Sequence, residues 1–113
     1  MPSVNYKILG QQSPAASTWV DLYIAPATKE AIASSITVAN RGTTLAYFRV
    51  AVCPAATATP ANQDYLYYDV PLAGNDTFIA TIGVTMAANN RVKVYSTGST
   101  DLSFQLFGSE LTP

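Results

Sequence analysis

The feature that most constrains this chain is alternation. In "EAIASSITVAN", Ile32, Ile36 and Val38 fall on one side with Ser34 among them, and Ala33, Ser35 and Thr37 fall on the other. "AYFRVAVC" sets Phe48, Val50 and Val52 against Tyr47, Arg49 and Ala51. "TFIATIGVTM" sets Phe78, Ile82, Val84 and Met86 against Thr77, Thr81 and Thr85. "DLSFQLFG" sets Leu102, Phe104 and Leu106 against Ser103, Gln105 and Phe107. A period of two is the mark of strands with one buried face.

"NYKIL", "WVDLYI", "DYLYYDV" and "RVKVYS" are shorter candidates, rich in the β-branched and aromatic residues that suit a pleated surface. Between the strands lie turn-forming stretches such as "GQQSPAAS", "APATKE", "NRGTT", "PLAGND", "AANN" and "TGST". The nearest helix candidate, "PATKEAIASS", runs into β-branched residues and reads as a strand. Short strands at this spacing predict an all-β fold, a single-domain antiparallel β-sandwich or jelly roll of about eight strands spanning residues 1–113. The predicted core is Ile36, Val38, Phe48, Val50, Val52, Phe78, Ile82, Val84, Val94, Leu102, Phe104 and Leu106. Met1 to Val4 and Glu110 to Pro113 carry no strand pattern and are expected to be arms that order on a neighbour.

Only 12% of the residues are charged, against about 25% in an average domain, so the surface must be largely Ser, Thr, Asn, Gln, Ala and Gly. Such a surface suits contact with other protein. With a net charge of −1 there is no basic footprint of a nucleic-acid binder, and no nucleic-acid partner is expected. No apolar run approaches the roughly 18 residues of a membrane helix, and no membrane partner is expected. The opening "MPSVNYKILG" lacks the basic and apolar regions of a signal peptide. A single cysteine, Cys53, fits synthesis in a reducing cytoplasm.

The sequence has no histidine, which removes the commonest general base and metal ligand. One Cys and no His do not make a usual zinc site, and histidine-based serine catalysis is excluded. Asp64 and Asp69 are five positions apart, an odd step that puts them on opposite sides of a regular strand rather than across a cleft. "GNDT" offers calcium one carboxylate, Asp76, where six to eight oxygens are wanted; a turn is the simpler reading. Cys53 is read as continuing the Phe48, Val50, Val52 face before Pro54 and is expected to be buried and inert. No enzyme activity, cofactor or metal is therefore expected.

The candidate contact residues are aromatic. Trp19, Tyr65, Tyr67 and Tyr68 suit a protein interface or a sandwich core, and also a stacking surface for sugars. Arg49 is placed opposite the apolar face of its strand, where it pairs with an acidic neighbour or reaches a partner chain. "NRGTTLAYFRVAVCP" as a whole reads as a turn, with Gly42 supplying a permissive backbone, and then a core strand closed by Pro54.

"YKILGQQSPAAST", "NRGTTLAYFRVAV", "YDVPLAGNDT" and "LSFQLFGSE" together resemble small structural proteins of tailed bacteriophages, including phages of cyanobacteria. That resemblance spans nearly the whole chain. It implies a β-sandwich built into a virion: a capsid decoration, or cement, protein on the capsid surface. Its partner would be the major capsid protein of the same virion, its state a homo-oligomer, most simply a trimer, and its place of synthesis the host cytoplasm. Two other readings stand beside it: a tail, neck or fibre component contacting the host surface, and a carbohydrate-binding module.

Overall fold

The computed structural model describes residues 2–113; Met1, the first residue of the expected N-terminal arm, lies outside the described residues. Eight strands follow in order: β1 (Ser3–Gln12), β2 (Val20–Ile24), β3 (Glu30–Asn40), β4 (Ala46–Cys53), β5 (Tyr65–Leu72), β6 (Thr77–Met86), β7 (Arg91–Thr97) and β8 (Leu102–Thr112). A short 3₁₀ turn, Asn62–Asp64, precedes β5. One sheet has the order β1-β8-β3-β6 and the other β2-β7-β4-β5. Every pairing is antiparallel. Apart from the β4–β5 hairpin, each connection carries the chain from one sheet to the other, which is the jelly-roll form of the β-sandwich.

The alternation explains the two layers. Ile36 and Val38 of β3, Phe48 and Val50 of β4, Val92 and Val94 of β7 and Leu102, Phe104 and Leu106 of β8 are fully enclosed between the sheets. Phe48 is the junction: its ring lies 5.1 Å from Phe78 and 6.1 Å from Phe104, both in the opposite sheet. Val52, Phe78, Ile82 and Val84 also pack on this core but are only half-buried. For the last three the reason is position, because β6 is an edge strand with a neighbour on one side only.

Bulges override simple alternation in several of the pairings. Between Ala33 and Ser35 the register of β3 shifts against β8 and β6. The shift exchanges inside and outside along β3, as an extra residue in a ladder does. Ala31 and Ala33 are therefore buried and Ile32 is exposed, the reverse of the expected facing of Ile32. Leu9 is an extra residue of β1 between Ile8 and Gly10, and it alone in β1 is buried. Two shifts against β4 set Tyr65, Tyr67 and Val70 of β5 opposite Ala51, Val50 and Phe48.

Several local expectations are corrected. The terminal segments are not arms: Ser3 pairs with Thr112, Val4 with Leu111 and Asn5 with Glu110. Gly42 is needed for space rather than for an unusual φ, because a Cβ there would stand 2.4 Å from Asp101 Oδ2. Asn40 does the organising in "NRGTT". Its buried side-chain amide donates to Thr44 O and Leu72 O, and its Oδ1 accepts from Gly42 N. Cys53 is buried as expected but on the opposite side of β4 from Phe48, Val50 and Val52; it pairs across with Arg91. Burial first, then the nearby Asp64, pushes its thiol pKa up, which keeps it protonated and unreactive.

Candidate interaction surface

The outer face of the β2-β7-β4-β5 sheet gathers most of the aromatic residues singled out from the sequence. Arg49 of β4 sits directly across from Tyr95 of β7. Its guanidinium lies 4.9 Å from the centre of the Tyr95 ring and 4.3 Å from that of Tyr68. The cation is thus flanked by two rings, each favourable through the negative face of the π system. Trp19, on the last residue before β2, packs 5.1 Å from Tyr95 and 5.9 Å from Tyr65. Tyr65 closes the ring of contacts by meeting Tyr68 edge-on at 4.9 Å.

Trp19, Arg49, Tyr65 and Tyr68 therefore form one cluster, joined by Tyr95. Tyr67 does not belong to it. The β5 register opposes Tyr67 to Val50, so its ring turns inward and packs edge-on to Phe78 at 5.2 Å. Tyr95 was missed in the sequence because "RVKVYS" reads as an ordinary short strand; its cross-strand partner, Arg49, becomes evident only from the register.

Arg49 is neutralised on the spot. Nε donates to Asp69 Oδ1 at 2.6 Å and Nη2 to Asp69 Oδ2 at 3.3 Å, a forked pair. The hydrogen bond to Asp69 is the main reason its pKa is raised. Asp69 reaches this position with φ at 50°, a left-handed backbone that Asp tolerates better than most residues. Asp64 is not a strand partner for it. It ends the 3₁₀ turn, and its carboxylate accepts from the backbone N–H of Ala61. The two aspartates are separately engaged, and their spacing on a regular strand does not apply.

Beyond the aromatic cluster lies an ionic one. Lys93 donates to Asp21 Oδ1 at 2.8 Å, and Arg91 Nη1 stands 3.6 Å from Asp21 Oδ2. Asp76 serves a turn: its Oδ1 accepts from Thr77 N and its carbonyl from Asn40 N. Among the described residues, no three His, Cys, Asp or Glu side chains come close enough together to hold a metal ion. The face thus offers aromatic surface with a polar edge and internally paired charges. Tyr68, 57% exposed, is its most open ring. Rings of this kind, apolar over their faces and polar at the hydroxyl, suit contact with another molecule.

No family model matches the chain, and no curated protein matches it. Among solved structures, the fold is similar to that of infectious bursal disease virus, Gx strain (TM-score 0.58, 13% identity, 97% of this chain and 31% of that one). It is also similar to the VP2 subviral particle of infectious bursal disease virus (TM-score 0.57, 12% identity, 97% and 32%). A third match is the T13 particle of the same virus (TM-score 0.53, 10% identity, 97% and 30%). This chain spans about a third of the length of those chains. At such identities the likeness is one of fold alone.

Proposed function

We propose that this chain is a structural protein of a virion with no catalytic role, and specifically a decoration protein of a tailed-phage capsid. The observation that supports it best is the jelly-roll likeness to proteins of virus particles over 97% of the chain. The resemblance of its strand and turn motifs to small tailed-phage proteins supports the finer assignment. In this reading the chain is made in the host cytoplasm and binds the capsid surface as a homotrimer. There it bridges neighbouring major capsid subunits and stabilises the shell by mass action, since it binds only the assembled form. Three copies engaging several subunits reinforce one another even where each contact is weak. The Trp19, Tyr65, Tyr68, Tyr95 and Arg49 cluster is the surface assigned to the shell, because aromatic and arginine side chains supply much of the energy of protein contacts.

One observation favours a second reading. Tyr68 presents its ring to solvent beside Trp19 and Tyr65, as a sugar-stacking surface on a tail, neck or fibre component would. The test is to prepare particles lacking this protein and add it back. The decoration reading expects particles that assemble but release their genome at a lower temperature, with recovery on adding the purified chain. Particles that are equally robust yet fail to adsorb to host cells would replace it with the fibre or glycan reading.

A further inference from the structure

Four strands lie at sheet edges: β1 and β6 in one sheet, β2 and β5 in the other. An edge strand presents unpaired backbone groups, and natural edges are blunted by charge, proline, bulges or shortness. Three of these edges are. β1 carries Lys7 and the Leu9 bulge, and its Gly10 packs against the Leu22 carbonyl of β2. β2 has five residues, with Asp21 and a bulge among them. β5 carries Asp69 at a φ of 50° and Pro71. β6, "TFIATIGVTM", has neither charge nor proline, and its bulge comes only at Ile82 and Gly83, opposite Ser34. Thr77 to Ile82 is thus a regular, uncharged edge whose inward row, Phe78, Ala80 and Ile82, is only half-buried.

The ladder with β3 decides which backbone groups of this edge are open. Asn40 N donates to Asp76 O at 2.9 Å, and the register sets these residues opposite each other, two steps beyond Val38 and Phe78. Hydrogen-bonded and non-hydrogen-bonded pairs alternate along an antiparallel ladder. Phe78 and Ala80 therefore turn their N–H and C=O towards β3, and Thr77, Ile79 and Thr81 turn theirs to the open side. Asp76 Oδ1 already accepts from the Thr77 N–H at 2.8 Å. The donors this leaves open are the N–H groups of Ile79 and Thr81, each beside its own carbonyl.

We infer that two copies of the chain join β6 to β6 across a two-fold axis at Ala80, making the two four-stranded sheets one. This goes beyond the proposed function: it needs neither a shell nor a three-fold, and where trimers form it links neighbouring ones. Self-complementarity selects a second copy as the occupant. Antiparallel pairing about Ala80 sets Ile79 opposite Thr81 of the other copy, and Thr81 opposite its Ile79. Each pair exchanges an N–H···O=C bond in both directions, so the two open donors of each copy meet the two open acceptors of the other. An axis at Ile79 would instead need the Thr77 N–H that Asp76 holds. Faces match as well, because paired positions differ by an even number. Phe78 meets Ile82 of the other copy on the inward side, covering the half-buried row, and the small Ala80 stands at the close pair on the axis. A two-fold sets like groups together, yet here no like charges meet: the Asp76 carboxylates lie about eight residues, or ~26 Å, apart along the strands. The size fits a specific contact. This flank is 19 Å thick, and ten residues of strand run about 33 Å, so it projects roughly 600 Å², the lower limit per partner of specific interfaces.

The test is sedimentation equilibrium of the full chain and its variants, with circular dichroism to check folding. The wild type is expected at an even multiple of the 12.0 kDa chain mass, two for the pair alone or six where it joins trimers. Ile79→Pro removes an N–H that β3 does not use, so the variant is expected to keep the wild-type spectrum. It is expected to weaken the two-fold contact by about tenfold or more, through the loss of a hydrogen bond on each side of the axis. A second measurement does not depend on that variant folding. In Ala80→Cys the two thiols face each other across the axis with Cα atoms about 4.5 Å apart, within the reach of a disulfide. In Thr77→Cys they lie about 20 Å apart. Oxidation is therefore expected to link Ala80→Cys chains in pairs and to leave Thr77→Cys unlinked, while the native Cys53 stays buried. A wild type of one or three chains, an unchanged mass for folded Ile79→Pro, or equal crosslinking of the two cysteine variants would each overturn the inference. If the wild type has one or three chains and Ile79→Pro no longer binds particles, the edge belongs to a strand of the shell instead. A wild type of one or three chains that still protects particles would sink this pairing and leave the proposed function standing. A dimer that ignores the shell would do the reverse.

Discussion

The Tyr23 hydroxyl donates a 2.6 Å hydrogen bond to Glu110 Oε2, tying β2 of one sheet to β8 of the other inside the sandwich. Glu110 is 4% exposed, and Lys7 and Lys29 approach its other oxygen at 3.3 and 3.6 Å. The buried carboxylate is therefore compensated on both oxygens, as a buried charge must be. It also fixes the end of β8 and, through Lys7, the edge strand β1.

The hydrogen bond from Tyr23, more than the two lysines, holds the Glu110 pKa below its ordinary value of 4.5, against the opposing effect of burial. A carboxylate lowered in the folded state adds stability above the unfolded-state pKa and loses it as pH falls through the folded value. The melting temperature is thus expected to fall on acidification below about pH 4.5, and to fall less in Glu110→Gln. At neutral pH, Tyr23→Phe is expected to cost about 1.5–3 kcal/mol, the worth of a hydrogen bond to a charged group. Thermal melts over a pH series check both; equal acid sensitivity in wild type and Glu110→Gln would remove Glu110 as the cause.

Gly108 of β8 lies where a side chain has no room. A Cβ there would stand 1.9 Å from the Ile32 carbonyl oxygen and 3.0 Å from the Ala33 Cα, both backbone atoms beside the β3 bulge. Gly108→Ala is expected to lose about 1–3 kcal/mol or more, because backbone in the middle of a sheet gives way poorly. Denaturant unfolding measures the loss; a neutral result would show that the bulge relaxes freely.

The eight strands and most of the core were legible because alternation is a local property. Phe48, Val50, Phe104 and Leu106 each follow from their own neighbours in sequence. What was not legible depends on register. Ile32 faces outward only because Ser34 is an extra residue opposite β8, and nothing in "AIASSI" marks where the extra residue falls. Tyr65 and Tyr67, two apart, would share a face on a regular strand; the β5 shift between them sends one out and the other in. The N-terminal segment looked patternless because β1 is an edge strand whose two sides are both largely exposed, so burial leaves no period in it. The candidate surface was half legible for the same reason. Residue type flagged Trp19, Arg49, Tyr65 and Tyr68, whereas Tyr95 and Asp69 join them through cross-strand contacts that no local pattern records.

Arg49 holds the aromatic cluster together through its flat guanidinium, and lysine is no substitute. Lys keeps the charge but loses the fork to Asp69 and the planar stack between Tyr68 and Tyr95. Arg49→Lys and Arg49→Ala are both expected to destabilise by about 1–2 kcal/mol, a sum of cation–π and partly screened ion-pair contributions. High salt is expected to reduce the difference from wild type only in part, since stacking on the rings is less sensitive to screening than the ion pair. Urea titrations at low and high salt check this; full recovery of Arg49→Lys to wild-type stability would mean that charge alone matters.

Tyr67 and Tyr68 are neighbours in sequence with opposite employment, and this separates folding from binding. Tyr67 packs on Phe48 and Phe78 between the sheets. Removing its ring leaves a cavity, so Tyr67→Ala is expected to cost about 2–4 kcal/mol, below the upper range because the ring is only half enclosed. Tyr68 stands in solvent over Arg49, and Tyr68→Ala gives up one exposed cation–π contact of about 0.5–1 kcal/mol. Binding to particles is expected to reverse the order. Below its melting temperature Tyr67→Ala retains the outer face and binds as wild type does. Tyr68→Ala keeps the fold but loses tenfold or more in affinity, about 1.4 kcal/mol, as truncation of an aromatic anchor does. Denaturant unfolding and particle co-sedimentation on the same two variants read the two effects separately. If Tyr68→Ala bound undiminished, the shell contact would have to lie off the β2-β7-β4-β5 face.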